Sequence, residues 1–423
     1  MRSFAVKLLF LTGFAVCGLT LVPALMADPI QLQPAQILQA SGAALGTNMF
    51  AYANPCVTDW NGDGKKDLLV GYQTAGKIAV FLNSGTDAQP VFTNFFKLQY
   101  FDSTNGWQDI LHPSGSCGAP ASWVCDFDGD GRRDLLVGAG HDGTVWFYRN
   151  TNTDAAPLLV SAGQLKVGTN LLTVGSRAKP CVHDWDEDGL PDLLCGSGDG
   201  YLYFFKNTNT VVHTMEFSPE GFNLPIFASP VKIQAGGTDL LLNQIQGGGT
   251  DSTPRSVAQV LDWDGDGLKD LVCSSDNGVY WCRNTNRNSN PILQAPVPIC
   301  APGSGVGLAS IITAPVPGAR MRVFAVDWNN DGVMDLVLGN ANGTVYYYEG
   351  YRFAFTRVAP QPGGQLRLEW NSAPNLKYHV LANDSPTNLQ SQVATSLPSG
   401  GTTTAWTNAM PGSQQYYHVR IAD

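Results

Sequence analysis

Short apolar runs separated by polar, glycine-containing turns make up most of the chain. One kind of run begins with Asp-Leu-Leu or Asp-Leu-Val, and a second kind, rich in aromatic residues, follows it after a short turn. The turns are Ala75-Gly76, Asp142-Gly143, Asp199-Gly200, Asn277-Gly278 and Asn342-Gly343. Asp-Gly and Asn-Gly supply the positive φ angles that a two-residue hairpin needs, so each pair of runs predicts a β-hairpin.

Each hairpin belongs to a longer unit that recurs five times. The aromatic runs, such as KIAVFLN from Lys77, are followed by weaker apolar segments such as PVFTNFFKL from Pro90. Each unit therefore predicts four antiparallel strands. A single four-stranded sheet with two apolar faces cannot bury both, whereas radial packing of several such sheets covers them. We predict an all-β fold, a β-propeller with five four-stranded blades.

A ring of blades requires its two ends to meet. The N-terminal segment 29–40, DPIQLQPAQILQ, resembles the fourth-strand segments, so we expect it to complete the blade that begins at Asp327. The long interval between Asp184 and Asp262 is where an additional blade with a degraded motif would lie.

An acidic motif, D-x-[DN]-x-D-G-x-x-D, recurs in each of the five units. Positions 1, 3, 5 and 9 carry side-chain oxygens in every copy, and position 6 is always Gly. The alternating spacing turns every second side chain inward and the Gly permits a sharp bend, so the motif gathers oxygen ligands for a hard cation, with the carbonyl of position 7 as an added ligand. The predicted ligands are Asp59, Asn61, Asp63, Lys65 and Asp67; Asp126, Asp128, Asp130, Arg132 and Asp134; Asp184, Asp186, Asp188, Leu190 and Asp192; Asp262, Asp264, Asp266, Leu268 and Asp270; and Asp327, Asn329, Asp331, Val333 and Asp335.

An EF-hand loop begins in the same way but needs Glu at position 12. The residues at position 12 are Val70, Val137, Cys195, Cys273 and Leu338. The loop therefore closes at position 9 and continues into a strand. The run D-x-[DN]-x-D-G-x-x-D-L-[LV]-x-G resembles the FG-GAP/VCBS repeat, the calcium hairpin loop of integrin α-chain propellers. The resemblance covers about residues 50–350 and implies a calcium-binding propeller, although the FG and GAP flanks of the integrin version match poorly.

The charge distribution agrees with a cation in each loop. Charged residues make up 14% of the 423 residues, the formal net charge is −10, and nineteen of the 35 acidic residues lie in the five motifs. Such clusters would repel strongly without cations. We expect about five structural Ca²⁺ ions, which suit these loops better than Mg²⁺ with its strict octahedral geometry. The acidic balance makes nucleic acid and anionic membrane surfaces poor partners.

The N-terminus predicts export. Residues 1–27 place Arg2 and Lys7 ahead of an apolar stretch that ends in small residues, which is typical of a secretory signal peptide; a transmembrane anchor is the alternative. We expect a secreted protein, periplasmic, extracellular or on the cell surface, with no membrane insertion after cleavage. In an oxidising compartment Cys273 and Cys282, which flank one hairpin, are candidates for a disulfide or for buried thiols.

The pattern changes after the last repeat. Residues 28–358 are expected to form the propeller. Residues 359–423 contain short strands such as LRLEW and YHVLAND and resemble a small fibronectin type III-like β-sandwich. Its expected core residues are Trp370, Tyr378 and Tyr417.

Ligand recognition is expected on the face opposite the acidic loops, where the blade-to-blade connections vary in length. These connections are about residues 100–120, 168–180, 221–255 and 296–320. Tyr100, Phe101 and Trp107 lie in one of them and are candidates for ligand contact. The aromatic residue at loop position 2 is instead expected to pack between blades, because it repeats at one structural position. These residues are Trp60, Phe127, Trp185, Trp263 and Trp328.

The sequence contains no nucleophile elbow, P-loop or HExxH motif, and its six histidines are scattered. We therefore expect a binding or adhesion module for an extracellular glycan or protein and no enzymatic activity. The alternatives are a polysaccharide-active enzyme or an accessory domain of one, and a structural cell-surface scaffold. The oligomeric state stays open.

Overall fold

The structure, a computed structural model, describes residues 6–8, 30–33, 35–45, 52–73, 77–110, 119–214, 222–242, 255–275, 278–300, 320–352, 355–372, 377–383, 392–401, 403–409 and 415–421. Within these ranges the regular elements are β-strands, which confirms the all-β prediction. No helix in the described part is long and apolar enough to cross a bilayer. The turn at Ala75-Gly76, residue Asn277 and, apart from 6–8, the expected signal peptide lie outside the described residues.

Five antiparallel sheets repeat the same arrangement of four strands, in order from an inner strand to an outer strand. Blade 1 consists of Asn54–Thr58, Asp67–Tyr72, Lys77–Asn83 and Phe92–Lys97. Blade 2 consists of Ala121–Cys125, Asp134–Gly138, Val145–Asn150 and Leu159–Gln164. Blade 3 consists of Lys179–His183, Asp192–Gly196, Leu202–Phe205 and Val231–Lys232. Blade 4 consists of Val257–Leu261, Asp270–Ser275, Gly278–Cys282 and Val297–Cys300.

Blade 5 takes its outer strand from the N-terminal part of the chain. It consists of Arg322–Val326, Asp335–Gly339, Val345–Tyr348 and Gln36–Ile37. Gln36 pairs with Tyr347 in an antiparallel register, and Gln31–Leu32 pairs with Gly350–Tyr351 just beyond. The closing role predicted for residues 29–40 is therefore confirmed.

The inner strands form a closed ring. Each contacts the inner strands of both neighbouring blades, and the inner strand of blade 5 contacts that of blade 1. The chain is therefore a five-bladed β-propeller, as its repeats predict. The described part of the interval between Asp184 and Asp262 contains a hairpin of Asn207–Thr214 and Phe222–Phe227, inserted between the third and outer strands of blade 3. It does not form an additional blade.

A glycine at the end of the second strand allows neighbouring blades to approach closely. A Cβ atom added at Gly138 would lie 2.2 Å from the carbonyl oxygen of Ala178, at the entry to blade 3. The equivalent distances are between 1.9 and 2.1 Å at Gly71, Gly196 and Gly339. In blade 4 this position is Ser274, whose hydroxyl donates to the carbonyl of Met321 at 3.0 Å. Main-chain contact between blades thus requires a very small side chain here.

Small hairpins link the rims of successive blades. They are Gln39–Ala40 with Ala43–Ala44, Gln99–Asp102 with Gly106–Asp109, Lys166–Val167 with Asn170–Leu171, and Gln234–Ala235 with Thr238–Asp239. The first strand of each pairs in parallel with an outer segment of the following blade, as Phe101 does with Val160. Parts of three connections that were expected to lie at the mouth of the ring are therefore hairpins at its rim, where they cover exposed strand edges.

The blades pack through apolar faces. The position-2 aromatic residues are buried, and the ring of Trp328 lies 6.2 Å from that of Phe92 in blade 1, at an edge-to-face angle of 79°. The predicted role of these residues in packing between blades is confirmed. Cys273 and Cys282 are both buried free thiols.

Two smaller sheets lie outside the five blades. One contains Phe355–Gln361, Gln365–Asn371 and Thr403–Ala409. The other contains Val6–Leu8, Gln415–Ile421, Lys377–Asn383 and Gln392–Pro398. Trp370 and Tyr378, one from each sheet, are buried with ring centres 5.8 Å apart. The resemblance of this part to a small fibronectin type III-like β-sandwich stays a prediction. The strand Phe355–Gln361 spans the expected boundary at residue 358, and the side chain of Tyr417 lies outside the described part.

Candidate metal centres

Each acidic motif forms the loop between the inner and second strands of its blade, so all five loops lie on one face of the ring. We number the loops 1 to 5 after their blades. The glycine at position 6 has a positive φ in every loop, between 83° and 87°, as the motif predicts. Position 4 also has a positive φ, which sequence reasoning missed. The residues at position 4 are Gly62, Gly129, Glu187, Gly265 and Asn330. The sequence feature that could have predicted the positive φ is the glycine in three of the five copies.

The carboxylate at position 1 accepts two main-chain hydrogen bonds. In loop 1 the amides of Asp63 and Gly64 donate to Asp59 at 3.1 and 3.0 Å. The same two bonds form to Asp126, Asp184, Asp262 and Asp327. These bonds hold the first predicted ligand inside the turn.

Positions 5 and 7 are also linked. The amides of the five position-7 residues donate to Oδ1 of position 5 at 2.8 to 3.0 Å. These residues are Lys65, Arg132, Leu190, Leu268 and Val333. The loops are therefore folded around their side-chain oxygens in the same way in all five blades.

The aspartate at position 9 is fully buried in every loop. In loop 2 the carboxylate of Asp134 accepts a hydrogen bond from the amide of Phe127 at 3.1 Å. It accepts a second one at 2.8 Å from the amide of Asn150, which lies at the end of the third strand. The other loops repeat both bonds. Burial raises the pKa of Asp134 and of Asp270 to about 7. In each blade one buried carboxylate thus connects the loop to the end of the third strand.

The residue that donates to position 9 is a second feature that sequence reasoning missed. It is Asn83, Asn150, Asn207, Asn284 or Gly350. The side-chain oxygen of Asn150 also accepts the amides of Asn152 and Leu158, which shapes the turn to the outer strand. The sequence feature that could have predicted this hydrogen bond is the Asn that ends four of the five aromatic runs.

Three of the loops bring together predicted oxygen donors from positions 1, 3 and 9. In loops 2, 3 and 4, carboxylate oxygens from positions 1, 3 and 9 lie within 4.8 Å of one another. The groups are Asp126, Asp128 and Asp134; Asp184, Asp186 and Asp192; and Asp262, Asp264 and Asp270. Loops 1 and 5 have Asn61 and Asn329 at position 3. The three carboxylate groups of loops 2, 3 and 4 form an all-oxygen donor set, which is the kind that a hard cation prefers.

A basic side chain at the end of the third strand faces the carboxylates of loops 2, 3 and 4. Arg283 contacts Asp264 and Asp266, each at 2.7 Å. Arg149 contacts Asp128 and Asp130 in loop 2, and Lys206 contacts Asp186 and Asp188 in loop 3. The equivalent residues beside loops 1 and 5 are Leu82 and Glu349. A basic neighbour therefore accompanies Asp at position 3, and an uncharged or acidic neighbour accompanies Asn.

Position 8 connects neighbouring loops. Lys66 of loop 1 donates to Asn330 of loop 5, and Arg133 of loop 2 lies 3.7 Å from Asp59 of loop 1. Lys269 of loop 4 likewise donates to the carbonyl of Asp184 in loop 3. These contacts join loops 5, 1 and 2 to one another and loop 3 to loop 4.

An exposed aromatic pair lies on the rim hairpin before blade 2. Trp107 is 56% exposed, and its ring centre lies 5.7 Å from that of Phe101, which is 37% exposed. Tyr100 instead packs against Tyr148 of blade 2 at 5.2 Å. Of the three aromatic candidates for ligand contact, Phe101 and Trp107 are accessible.

Comparison with known families supports the assignment of the repeat. Residues 262–338 match the model of the FG-GAP-like repeat, and residues 121–148 match that of the FG-GAP repeat. The chain carries FG-GAP repeats. The two matched segments include loops 2, 4 and 5, which share their main-chain hydrogen bonding with loops 1 and 3.

Similar solved structures include a lectin from Agrocybe aegerita that recognises non-reducing terminal N-acetylglucosamine. It is 16% identical, with 87% of each chain covered and a TM-score of 0.32. An exo-β-1,3-galactanase from Phanerochaete chrysosporium is 9% identical, with 91% of this chain and 97% of that chain covered and a TM-score of 0.39. Similarity this low does not bear on the ligand of the FG-GAP repeat chain.

Proposed function

We propose that the chain is an exported, calcium-stabilised propeller that binds an extracellular glycan or protein and has no enzymatic activity of its own. The observation that carries the calcium assignment is the fivefold repetition of one oxygen-donor loop, with the same hydrogen bonds at positions 1, 7 and 9. Donors of this type suit Ca²⁺, which accepts six to eight oxygen ligands in flexible geometry.

The residues of each loop have separate tasks in this proposal. Side chains at positions 1, 3, 5 and 9 and the carbonyl at position 7 hold the ion, which when bound supplies positive charge to the carboxylate cluster. The aspartate at position 9 links the ion site to the blade, because its carboxylate also accepts a hydrogen bond from an amide at the end of the third strand. The ions therefore act as structural links, and recognition belongs to the surfaces that the rigid ring presents.

The exposed pair of Phe101 and Trp107 supports a binding role. Large aromatic side chains that stay accessible on a rigid scaffold are suited to stacking on sugar rings and to packing against a protein partner. Their rim hairpin is fixed by pairing with blade 2, so the rings are held in place before any ligand arrives.

Calcium content and thermal unfolding test this proposal. We expect the purified mature chain to contain about five Ca²⁺ per molecule by elemental analysis and to lose stability in EDTA. An ion present at ten times its Kd adds about 1.4 kcal/mol, so several sites together produce a large fall in Tm. Readdition of Ca²⁺, but not of Mg²⁺ at the same concentration, should restore the Tm. A metal-free protein with an unchanged Tm would contradict the calcium assignment.

The same protein samples, with calcium and in EDTA, test whether the chain binds a glycan or a protein. Glycan and extracellular-protein arrays probed with and without calcium should give saturable, EDTA-sensitive binding, and the bound saccharides should be recovered intact. Turnover of a bound saccharide would instead establish an enzyme.

A further inference from the structure

A cluster of basic residues surrounds the central channel on the face opposite the acidic loops. The inner strands end at the loops, so their first residues lie at the opposite opening. We consider ten positions: the first residue of each inner strand and the residue two before it. Five of these ten are basic, although the chain has a net charge of −10. They are Arg177, Lys179, Arg255, Arg320 and Arg322, and we name them the basic mouth.

The basic mouth is compact and largely buried. Lys179 is 5% exposed, and its ammonium group donates to the carbonyl of Ala119 at 3.0 Å. The guanidinium groups of Arg255, Arg320 and Arg322 lie 5.9, 4.7 and 5.5 Å from the centre of the Tyr52 ring. Burial lowers the pKa of Lys179, and the charges of Arg322 and Arg255 lower it further. Cations this close repel one another, so an anion placed among them would be strongly attracted.

The backbone at this opening is strained in three blades. Tyr52, Arg177 and Arg320 have φ angles of 59°, 54° and 36°, and each lies two residues before an inner strand. Bulky residues rarely adopt these angles, whereas Gly does so freely. Strain of this kind is concentrated at functional sites. Large side chains thus occupy positions where glycine would relax the backbone.

The central channel contains a hydroxyl group in addition to the basic side chains, and its free volume is small. Ser122 lines it together with Lys179 and Arg322. The Ser122 hydroxyl is buried, and no described residue forms a hydrogen bond with it. The free volume is about 30 Å³, enough for one or two water-sized groups and too small for a sugar ring. A carboxylate or one edge of a sulfate fits both the space and the donors.

We propose that the basic mouth binds a single oxyanion group, a carboxylate or sulfate, carried by an acidic saccharide that otherwise remains outside the channel. The oxyanion would accept hydrogen bonds from the Ser122 hydroxyl and from the nearby cations. A saccharide with few charges is favoured over an acidic protein segment, because the acidic chain repels a partner with many negative charges. The saccharide part rests on the proposed function; the oxyanion site does not.

Removal of strained arginines gives a sharp test. In the double variant Arg177→Gly, Arg320→Gly two charges are lost while glycine adopts the local φ angles without strain. By calorimetry on the calcium-saturated full chain at fixed ionic strength, we expect an otherwise neutral oligosaccharide that carries one uronic acid residue to bind wild type and to bind the double variant at least tenfold more weakly. The Tm of the double variant should be unchanged or higher. The control Lys166→Ala, Lys232→Ala removes two charges from the rim of the propeller and should change affinity less than twofold.

Further probes distinguish the sources of the oxyanion. A sulfated oligosaccharide should also bind, and a neutral oligosaccharide of equal length should bind at least tenfold more weakly. Equal binding of neutral and acidic saccharides, or equal affinity of wild type and double variant, would overturn the proposal. Binding of sodium sulfate without binding of either acidic saccharide, which would indicate an adventitious ion only, would also overturn it, as would binding of an acidic peptide without binding of either acidic saccharide. Because calcium content and melting are measured separately, a calcium-stabilised chain that binds a neutral glycan would uphold the proposed function while this inference fails.

Discussion

The side chain that ends the third strand changes the charge around each loop. Arg149 beside loop 2 contacts two carboxylates, whereas Leu82 beside loop 1 supplies no charge. A basic group near a carboxylate stabilises its ionised form. Loops 2, 3 and 4 therefore contain part of the positive charge that a metal ion would supply, and loops 1 and 5 depend more on the ion itself.

This difference predicts opposite effects of two substitutions. Arg149→Leu removes a cation from loop 2, so the metal-free protein should lose more stability than the calcium-bound protein. The stabilisation produced by calcium should then increase by about 1 kcal/mol, the size of a partly exposed ion pair. Leu82→Arg in loop 1 should decrease it. Urea unfolding with calcium and with EDTA measures both, and a shift in the same direction for the two variants would contradict the prediction.

Strand pairing inside each blade follows from local patterns, whereas contacts between blades do not. The sequence predicted the five blades, the closing segment and the acidic loops, because a short stretch of consecutive residues that resembles other stretches of the chain specifies each of them. It did not predict rim hairpins such as Gln39–Ala40 with Ala43–Ala44, whose strands are too short for a periodic pattern. Nor did it reveal that Gly138 touches the next blade, since that contact joins distant parts of the sequence. The metal-binding role of the loop residues stays a prediction.

The close approach at Gly138 predicts a strong effect of a single methyl group. In Gly138→Ala the new Cβ would lie 2.2 Å from the carbonyl oxygen of Ala178, so blades 2 and 3 must separate. We expect a loss of about 3 kcal/mol in the free energy of unfolding, at the upper end of overpacking effects. The control Gly363→Ala meets no atom within 4 Å and should cost about 1 kcal/mol for its positive φ. Equal losses for the two variants in chemical denaturation would show that the contact between blades is unimportant.

At the scale of the whole molecule, the ring is held closed by a few N-terminal residues. Gln36–Ile37 supplies the outer strand of blade 5, and the next residue, Leu38, is buried in the core shared by blades 1 and 5. All other blades take their four strands from one continuous stretch of chain. The stability of the propeller therefore depends on a short segment far from the rest of its blade in sequence.

Two adjacent residues of this segment provide a matched test. Leu38 is 7% exposed and its amide donates to the carbonyl of Val345, whereas Ile37 is 47% exposed. We expect Leu38→Ala to lower the free energy of unfolding by about 2–4 kcal/mol, as for other buried leucines. Ile37→Ala should change it by less than about 1 kcal/mol. Equilibrium denaturation followed by tryptophan fluorescence measures both. Similar losses for the two variants would mean that the segment does not close the ring.

The closing strand also sets the order of events during biosynthesis. The segment that completes blade 5 precedes blade 1 in the chain and so leaves the ribosome before it, whereas its partner Val345–Tyr348 is made only after four other blades. Until then one end of the nascent ring presents an unpaired strand edge, which is a template for association with other chains. A pairing between such distant residues is also slow to form. The unfinished chain is therefore more open to association with other chains than the closed ring is.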